Sequence, residues 1–227
     1  FQLGKLTGYR YIIPASQAML VGKTRVTVKR RWSRLFRKDE TLMLPTVKSK
    51  ALVIDVDGTL IEDDLNHIIF KMTTAHHPFI LPKVLGLLAI ARNRAKRVMV
   101  DLISERMDFA ALSYNTKVIE MAKAHRATGG EAVLCSGSDQ VLVQMLADHV
   151  GVFDDAFGST MDINLVSANK AGFLRQKYPE GFAYIGNSSQ DYKVWAVADE
   201  GYSVRAPEKA KTIRTRTGEP VQIIIPR

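Results

Sequence analysis

Two aspartates stand two positions apart directly after a short apolar run, in Asp55-Val56-Asp57-Gly58-Thr59. Residues 51–54 read as a buried parallel strand, and Asp57-Gly58 reads as the turn that follows it. Two adjacent carboxylates can divide a reaction between them, because one can act as nucleophile while the other transfers protons. The alternative is an aspartate-rich turn or helix cap, and the polar residues at later strand ends argue against it.

The elements that must position these carboxylates follow from the hydrophobic pattern. Apolar runs at residues 51–54, 131–135, 182–185, 202–204 and 221–225 predict strands, and helical patterns at 138–149, 168–177 and 190–199 separate them. Strand alternating with helix predicts an α/β fold with a doubly wound, Rossmann-like parallel sheet. Ligands of such sheets bind at the carboxyl ends of the strands, where Asp55, Ser136 and residues 186–191 fall.

A long helical stretch separates the first two predicted strands. Helical patterns at residues 65–72, 83–97 and 115–126 are too extended for a simple crossover. We interpret residues 63–108 as a small inserted helical cap within a catalytic domain of residues 51–227. The apolar residues 79–91 precede a basic run that would suit an anionic membrane surface, but we expect the core of the cap to use them.

The run Asp55-Val56-Asp57-Gly58-Thr59-Leu60 is similar to the first motif of the haloacid dehalogenase (HAD) superfamily. The resemblance implies that Asp55 attacks a phosphate monoester and forms an aspartyl phosphate, while Asp57 protonates the leaving group and later activates water. It also implies Mg²⁺ as cofactor, held by Asp55, the main-chain carbonyl of Asp57 and acidic groups of the fourth motif. We therefore predict a magnesium-dependent phosphatase.

Two later residues match the second and third motifs of the family. Ser136 follows the second predicted strand, as does the family residue that hydrogen-bonds the phosphoryl group, and its alternative role is a helix cap. Lys170 resembles the lysine that neutralises charge on nucleophile and phosphate, and its alternative is a solvated lysine. The resemblance thus makes Asp55, Asp57, Ser136 and Lys170 the predicted catalytic residues.

The fourth motif departs from the family pattern. Residues 186–191 read GNSSQD where the family has GDxxxD, so Asn187 replaces the first aspartate. The predicted metal residues are Asp55, Asp57, Asn187 and Asp191. An amide oxygen can bind Mg²⁺, but the site loses one negative charge, so we expect weaker metal binding. A weakly catalytic or non-catalytic partner module of a membrane enzyme is therefore the alternative function.

A narrower resemblance comes from the same stretch. Gly186-Asn187-Ser188, a spaced aspartate and Val194-Trp195 look like the HAD-like domain that precedes some UbiA-type prenyltransferases. The resemblance covers about residues 51–225. It implies a phosphorylated small molecule or a lipid-linked phosphate, such as a polyprenyl phosphate, as substrate.

The positive charge of the chain is concentrated at its beginning. Residues 1–50 hold 12 Lys and Arg against Asp39 and Glu40, a net charge of +10, whereas the other residues sum to −1. We interpret this basic extension as a solvated tail or as a contact for an anionic membrane surface or a membrane prenyltransferase, and nucleic acid is disfavoured. A single cysteine and no long apolar run favour a cytoplasmic protein, peripheral at the inner face of the membrane in the second case.

Overall fold

The computed structural model describes residues 3–6, 9–12, 45–205 and 210–224. The chain divides into two compact units, Phe1–Met43 and Leu44–Arg227. The first unit contains the antiparallel strands β1 (Leu3–Leu6) and β2 (Tyr9–Ile12), which pair so that Leu3 lies opposite Ile12. Most of the basic extension, including its predicted membrane contact, lies outside the described residues.

The second unit is built on a six-stranded parallel sheet in the order β5-β4-β3-β6-β7-β8. Its strands are β3 (Ala51–Ile54), β4 (Glu131–Asp139), β5 (Asp155–Ser159), β6 (Ala183–Gly186), β7 (Glu200–Ser203) and β8 (Gln222–Ile223). Every residue of β3 and β6 is buried, as the apolar runs require of central strands covered on both faces. The predicted α/β, Rossmann-like fold is confirmed.

Four helices accompany the strands: α4 (Thr116–Ala127), α5 (Gln140–Val150), α6 (Ala168–Lys177) and α7 (Tyr192–Trp195). Asp139 begins α5 by accepting a hydrogen bond from the Val141 N–H at 2.9 Å, and Gly151 ends it with a left-handed φ of 68°. On one face of the sheet, Leu174 of α6 and Trp195 of α7 are fully buried in a core with Val53 and other sheet residues. These contacts hold both helices against the sheet.

Three helices lie between β3 and α4, namely α1 (Leu65–His76), α2 (Leu81–Ile90) and α3 (Arg92–Ile103). The side chain of Asp64 caps α1 by accepting from the His67 N–H at 3.1 Å. Both α1 and α2 contact α3. This helical segment occupies the stretch that the sequence assigns to the cap, and below we use the word cap for residues 65–103.

The sequence reading was wrong in three local details. The single helix predicted at residues 83–97 is two helices, because Ala91 between them leaves the helical region, with φ −151° and ψ 66°. Strand β5 was not predicted, since Asp155 and Gly158 disfavour a strand and only pairing with β4 forms it. The helix predicted at 190–199 is a 3₁₀ turn followed by the single turn of α7.

Among the described residues, none of the helices combines the length and the apolar character needed to cross a lipid bilayer.

Candidate active site

All six site residues predicted from the sequence lie at or near the carboxyl edge of the sheet. Asp55 directly follows β3, Ser136 lies near the end of β4, and Asn187 follows β6. Lys170 is in the first turn of α6, just after Ser167, whose positive φ of 51° is the single such value among the described non-glycine residues. Parallel strands bring these distant parts of the sequence to one edge.

A buried ion pair forms the centre of the site. Lys170 Nζ lies 2.6 Å from Asp55 Oδ1, and the two residues are only 4% and 8% exposed. Burial raises the pKa of Asp55 to about 7, although the Lys170 ammonium opposes this rise. Burial also disfavours the charged lysine, but Asp55 and Asp191 outweigh it, so the pKa of Lys170 is raised. The two carboxylates therefore favour the charged form of Lys170 beside the candidate nucleophile.

Tyr184 is a site residue that the sequence reading missed. Its buried hydroxyl accepts from Lys170 Nζ at 3.0 Å and donates to Asp191 Oδ1 at 2.6 Å. The hydroxyl thus links the lysine to the fourth-motif aspartate and fixes both side chains. A tyrosine inside a buried strand was a usable signal, because a buried phenol needs a hydrogen-bond partner.

Asp57 accepts hydrogen bonds both from the cap and from strand β4. Its Oδ1 accepts from the Leu65 N–H at 2.7 Å at the start of α1, and its Oδ2 accepts from Ser136 Oγ at 3.0 Å and Ser138 Oγ at 2.8 Å. Burial raises the pKa of Asp57 despite these donors. A carboxyl group with a raised pKa and fixed orientation suits proton transfer.

Ser138 is a second site residue that the sequence-based prediction missed. Asp139 is the cap, which leaves the Ser138 hydroxyl free to contact Asp57. Ser136 Oγ in turn accepts from the Ser138 N–H at 2.9 Å. The pattern Ser136-Gly137-Ser138 at the end of a strand was a signal from which the role of Ser138 could have been predicted.

The cap reaches the site through three polar side chains. Asn66 Nδ2 donates to Ser138 Oγ at 3.0 Å, and Lys96 Nζ donates to the Gly137 carbonyl at 2.8 Å. Arg97 lies 3.2 Å from Asp139, measured between Nη2 and Oδ1. Burial lowers the pKa of Lys96, whereas the nearby carboxylates oppose this change. The Oδ1 atom of Asn66 is buried without a hydrogen-bond partner, so the side chain that contacts Ser138 also carries an unused acceptor.

Oxygen donors for a hard cation are present but sparse. Asp191 Oδ2 accepts from the Asn187 and Ser188 N–H groups, each at 3.0 Å, and from Ser188 Oγ at 3.2 Å. Because Oδ1 accepts a hydrogen bond from Tyr184, both oxygens of Asp191 are hydrogen-bonded to groups of the protein. The role of Asp191 as a metal ligand stays a prediction. The described residues contain no cluster of three His, Cys, Asp or Glu suited to a metal ion.

Asn187 lies beside the first motif. A Cβ built on Gly58 would come within 2.1 Å of Asn187 Nδ2, so only glycine, with its φ of 72°, allows this approach. The Asp55 carboxylate, the Asp57 carbonyl and the Asn187 amide oxygen are compatible with Mg²⁺, which commonly binds through one or two carboxylates and retains several waters. The residues therefore fit a weak magnesium site.

Sequence comparison identifies relatives of this chain. The model of the family described as haloacid dehalogenase-like hydrolase matches residues 52–195. An uncharacterized protein, y4nM, of Sinorhizobium fredii (strain NBRC 101917 / NGR234) is 29% identical over 175 residues, which cover 77% of this chain and 34% of that protein. The chain thus spans about a third of the length of this relative.

Solved structures share the fold at low sequence identity. A Bordetella pertussis protein of unknown function has a TM-score of 0.57 and 12% identity, with 78% of this chain and 98% of that chain covered. A substrate-bound phosphoserine phosphatase has a TM-score of 0.52 and 14% identity, covering 78% and 94% of the respective chains. The family match includes Asp55, Asp57, Ser136, Lys170 and Asp191, and it spans more than half of the sequence. This chain belongs to the haloacid dehalogenase-like hydrolase family.

Proposed function

We propose that this hydrolase is a magnesium-dependent phosphatase that cleaves phosphate monoesters through an aspartyl phosphate on Asp55. The observation that carries the proposal is the buried contact of 2.6 Å between Lys170 Nζ and Asp55 Oδ1. An anionic nucleophile can approach an anionic phosphate only if positive charge offsets the repulsion, and a fixed, desolvated ammonium does so. The fold shared with a phosphoserine phosphatase is compatible with this chemistry.

In the first half-reaction, a carboxylate oxygen of Asp55 attacks phosphorus while the bond between phosphorus and the leaving-group oxygen breaks. Asp57 begins protonated, which its raised pKa favours, and gives its proton to the leaving oxygen. In the same step the Ser136 hydroxyl, which donates to Asp57 Oδ2 in the structure, turns to donate its hydrogen bond to the phosphoryl group. The products are an alcohol and the aspartyl phosphate.

In the second half-reaction, water attacks the same phosphorus, and Asp57 accepts a proton from this water. The bond between phosphorus and the Asp55 oxygen breaks, which releases phosphate and restores both aspartates. Mg²⁺, bound through Asp55, the Asp57 carbonyl and Asn187, would supply positive charge that favours the ionised nucleophile and the charged phosphate.

The test is hydrolysis of an aryl phosphate by the full chain with and without Mg²⁺. We expect Asp55→Asn to lose at least about 10³-fold in turnover, because the amide cannot form the acyl phosphate. We expect Asp57→Asn to accumulate a phosphorylated protein, which rapid acid quench followed by mass spectrometry would detect. The exposed Asp162→Asn is the matched control. Turnover that survives Asp55→Asn would refute the mechanism.

The finer proposal concerns the substrate, which we place among lipid-linked phosphates on the resemblance to the domain that precedes UbiA-type prenyltransferases. A panel of phosphorylated metabolites that includes short polyprenyl phosphates tests this proposal. Preference for a soluble sugar or amino-acid phosphate would contradict it while leaving the phosphatase mechanism intact.

A second candidate function is a weakly catalytic partner module, and the structure of the fourth motif favours it. Asn187 removes one charge, and both oxygens of Asp191 are bonded within the protein. Asn187→Asp separates the two functions when metal affinity and turnover are measured together. The phosphatase proposal expects Mg²⁺ affinity to rise on the order of tenfold over a wild type that already turns over. A wild type without turnover, rescued only by Asn187→Asp, would favour the partner module.

A further inference from the structure

Helix α2 exposes the apolar side chains that the sequence assigned to the core of the cap. Val84 is the single buried residue of this helix. Phe79, just before the helix, is 98% exposed, and Leu85 and Ile90 are 56% and 85% exposed. The expectation that the cap buries this stretch is therefore wrong for Phe79, Leu85 and Ile90, whereas Val84 is buried and Leu81, Leu87 and Leu88 are half-buried.

The exposed apolar residues form one face. Phe79, Pro82, Leu85 or Gly86, and Ala89 or Ile90 recur at spacings of three and four residues, and all of them are exposed. Helices on globular domains normally turn such a face inward and leave a polar face in solvent. The outer face of α2 has the reverse arrangement. A contiguous apolar surface of this kind is typical of an interaction site.

Positive charge surrounds the apolar face. The exposed residues Lys71, Lys83, Arg92 and Arg94 lie on α1, on α2 and in the first turn of α3. Across residues 65–103 six Lys and Arg stand against Asp101 alone, a net charge of +5. A second copy of the cap would meet this face with the same charge, which opposes self-association. An anionic surface complements it.

We propose that the cap docks on an anionic membrane surface through the outer face of α2. Phe79, Leu85 and Ile90 enter the boundary between headgroups and acyl chains, and Lys83, Arg92 and Arg94 contact the anionic headgroups. Helix α2 has 10 residues, so it lies in the interface and does not cross the bilayer. The inference goes beyond the proposed catalytic function and does not depend on it.

The experiment places an environment-sensitive fluorophore on the full chain. Single cysteines introduced as Phe79→Cys or Ile90→Cys take the label, because the native Cys135 is fully buried. Glu180→Cys is the matched control, since the Glu180 side chain is 82% exposed and lies just before the amino end of β6. Vesicles of phosphatidylcholine alone are compared with vesicles that also contain phosphatidylglycerol.

With anionic vesicles we expect a blue shift at positions 79 and 90 and quenching by lipid-attached quenchers, with neither change at position 180. This site-specific readout separates docking by α2 from binding through residues 1–50. The double variant Phe79→Ser/Ile90→Ser should lower partitioning of the unlabelled chain by about tenfold or more, because two large apolar side chains are lost.

Two results would overturn the proposal. Labels at positions 79 and 90 that remain in water while the chain binds vesicles would show that another segment makes the contact. A blue shift that occurs without vesicles and grows with protein concentration would assign the face to a second copy of the chain. Thermal unfolding of the double variant verifies that the substitutions leave the fold intact, as expected for exposed positions.

Discussion

At the carboxyl end of the sheet, Asp55, Lys170 and Asp191 are buried and paired with one another, whereas on the outer face of the cap Phe79 and Ile90 lie in solvent. In both regions the side chains lie where they lower the stability of the fold. Buried charges cost solvation energy, and exposed apolar groups forgo the stabilisation of burial. The difference is the one that the two proposals require: a charged site for an anionic substrate at the edge of the sheet, and an exposed apolar surface for a membrane contact on the cap.

The largest effect should come from removing the buried cation. We expect Lys170→Met to lower the free energy of unfolding by about 3–5 kcal/mol, because Asp55 and Asp191 would keep a buried charge without its partner. Turnover should fall by orders of magnitude. Urea unfolding and aryl phosphate hydrolysis measure both quantities. The exposed Lys193→Met is the control. Equal stability of the two variants would show that Lys170 does not stabilise the buried carboxylates.

Tyr184→Phe tests whether the phenol organises the site. The change keeps the ring but removes one partner each from Lys170 and Asp191, which should cost about 1–3 kcal/mol of stability and lower turnover. Tyr202→Phe is the matched control, because the Tyr202 hydroxyl donates to the Glu200 carboxylate at 2.8 Å away from the site. A similar loss of turnover in both variants would mean that Tyr184 acts only through stability.

A pair of neighbours on α2 sharpens the comparison within the cap. Val84 is fully buried, so Val84→Ala should cost about 1–2 kcal/mol through lost packing. Leu85 is 56% exposed, so Leu85→Ala should change stability by no more than about 0.5 kcal/mol. Chemical denaturation measures both variants. If Leu85→Ala proves as costly as Val84→Ala, the outer face of α2 is covered and the membrane proposal fails with it.

The smallest expected effect concerns a carboxylate at the start of β7. Burial raises the pKa of Glu200, but hydrogen bonds from Ser49, from the Tyr202 hydroxyl and from the Lys48 N–H prevail and lower it below the ordinary value of 4.5. A carboxyl pKa lowered by folding adds stability above the unfolded pKa, and this gain is lost as pH falls through the folded pKa.

The stability advantage of wild type over Glu200→Gln should therefore be present at neutral pH, begin to fall near the ordinary pKa of 4.5 and be lost as the pH drops through the lowered folded pKa. Thermal unfolding at a series of pH values measures it, with the exposed Glu219→Gln as control. An advantage that persists unchanged into acid would contradict the assignment of these hydrogen bonds to the ionised carboxylate.

The candidate active site at the edge of the sheet could be predicted because its signals are local. An apolar run followed by paired aspartates marks a buried strand and its carboxyl end, and topology then places Ser136 and Asn187 at the same edge. Tyr184 and Ser138 were not predicted, because the sequence does not show which residue will form a hydrogen bond with a hydroxyl inside or beside a strand. Their partners, Lys170 and Asp57, are 14 and 81 residues away in sequence.

The amino-acid sequence by itself determined the parallel α/β architecture and the residues at the ends of its central strands, because hydrophobic periodicity is a property of neighbouring residues. The resemblance of its motifs indicated the family. Only the tertiary structure decided which apolar helix is buried. Residues 79–91 are apolar enough for a core, yet a helix buries only the side that finds a partner, and α3 contacts α2 on the side of Val84. Whether a side chain is buried depends on the element that packs against its helix, and the sequence of one segment cannot specify that element.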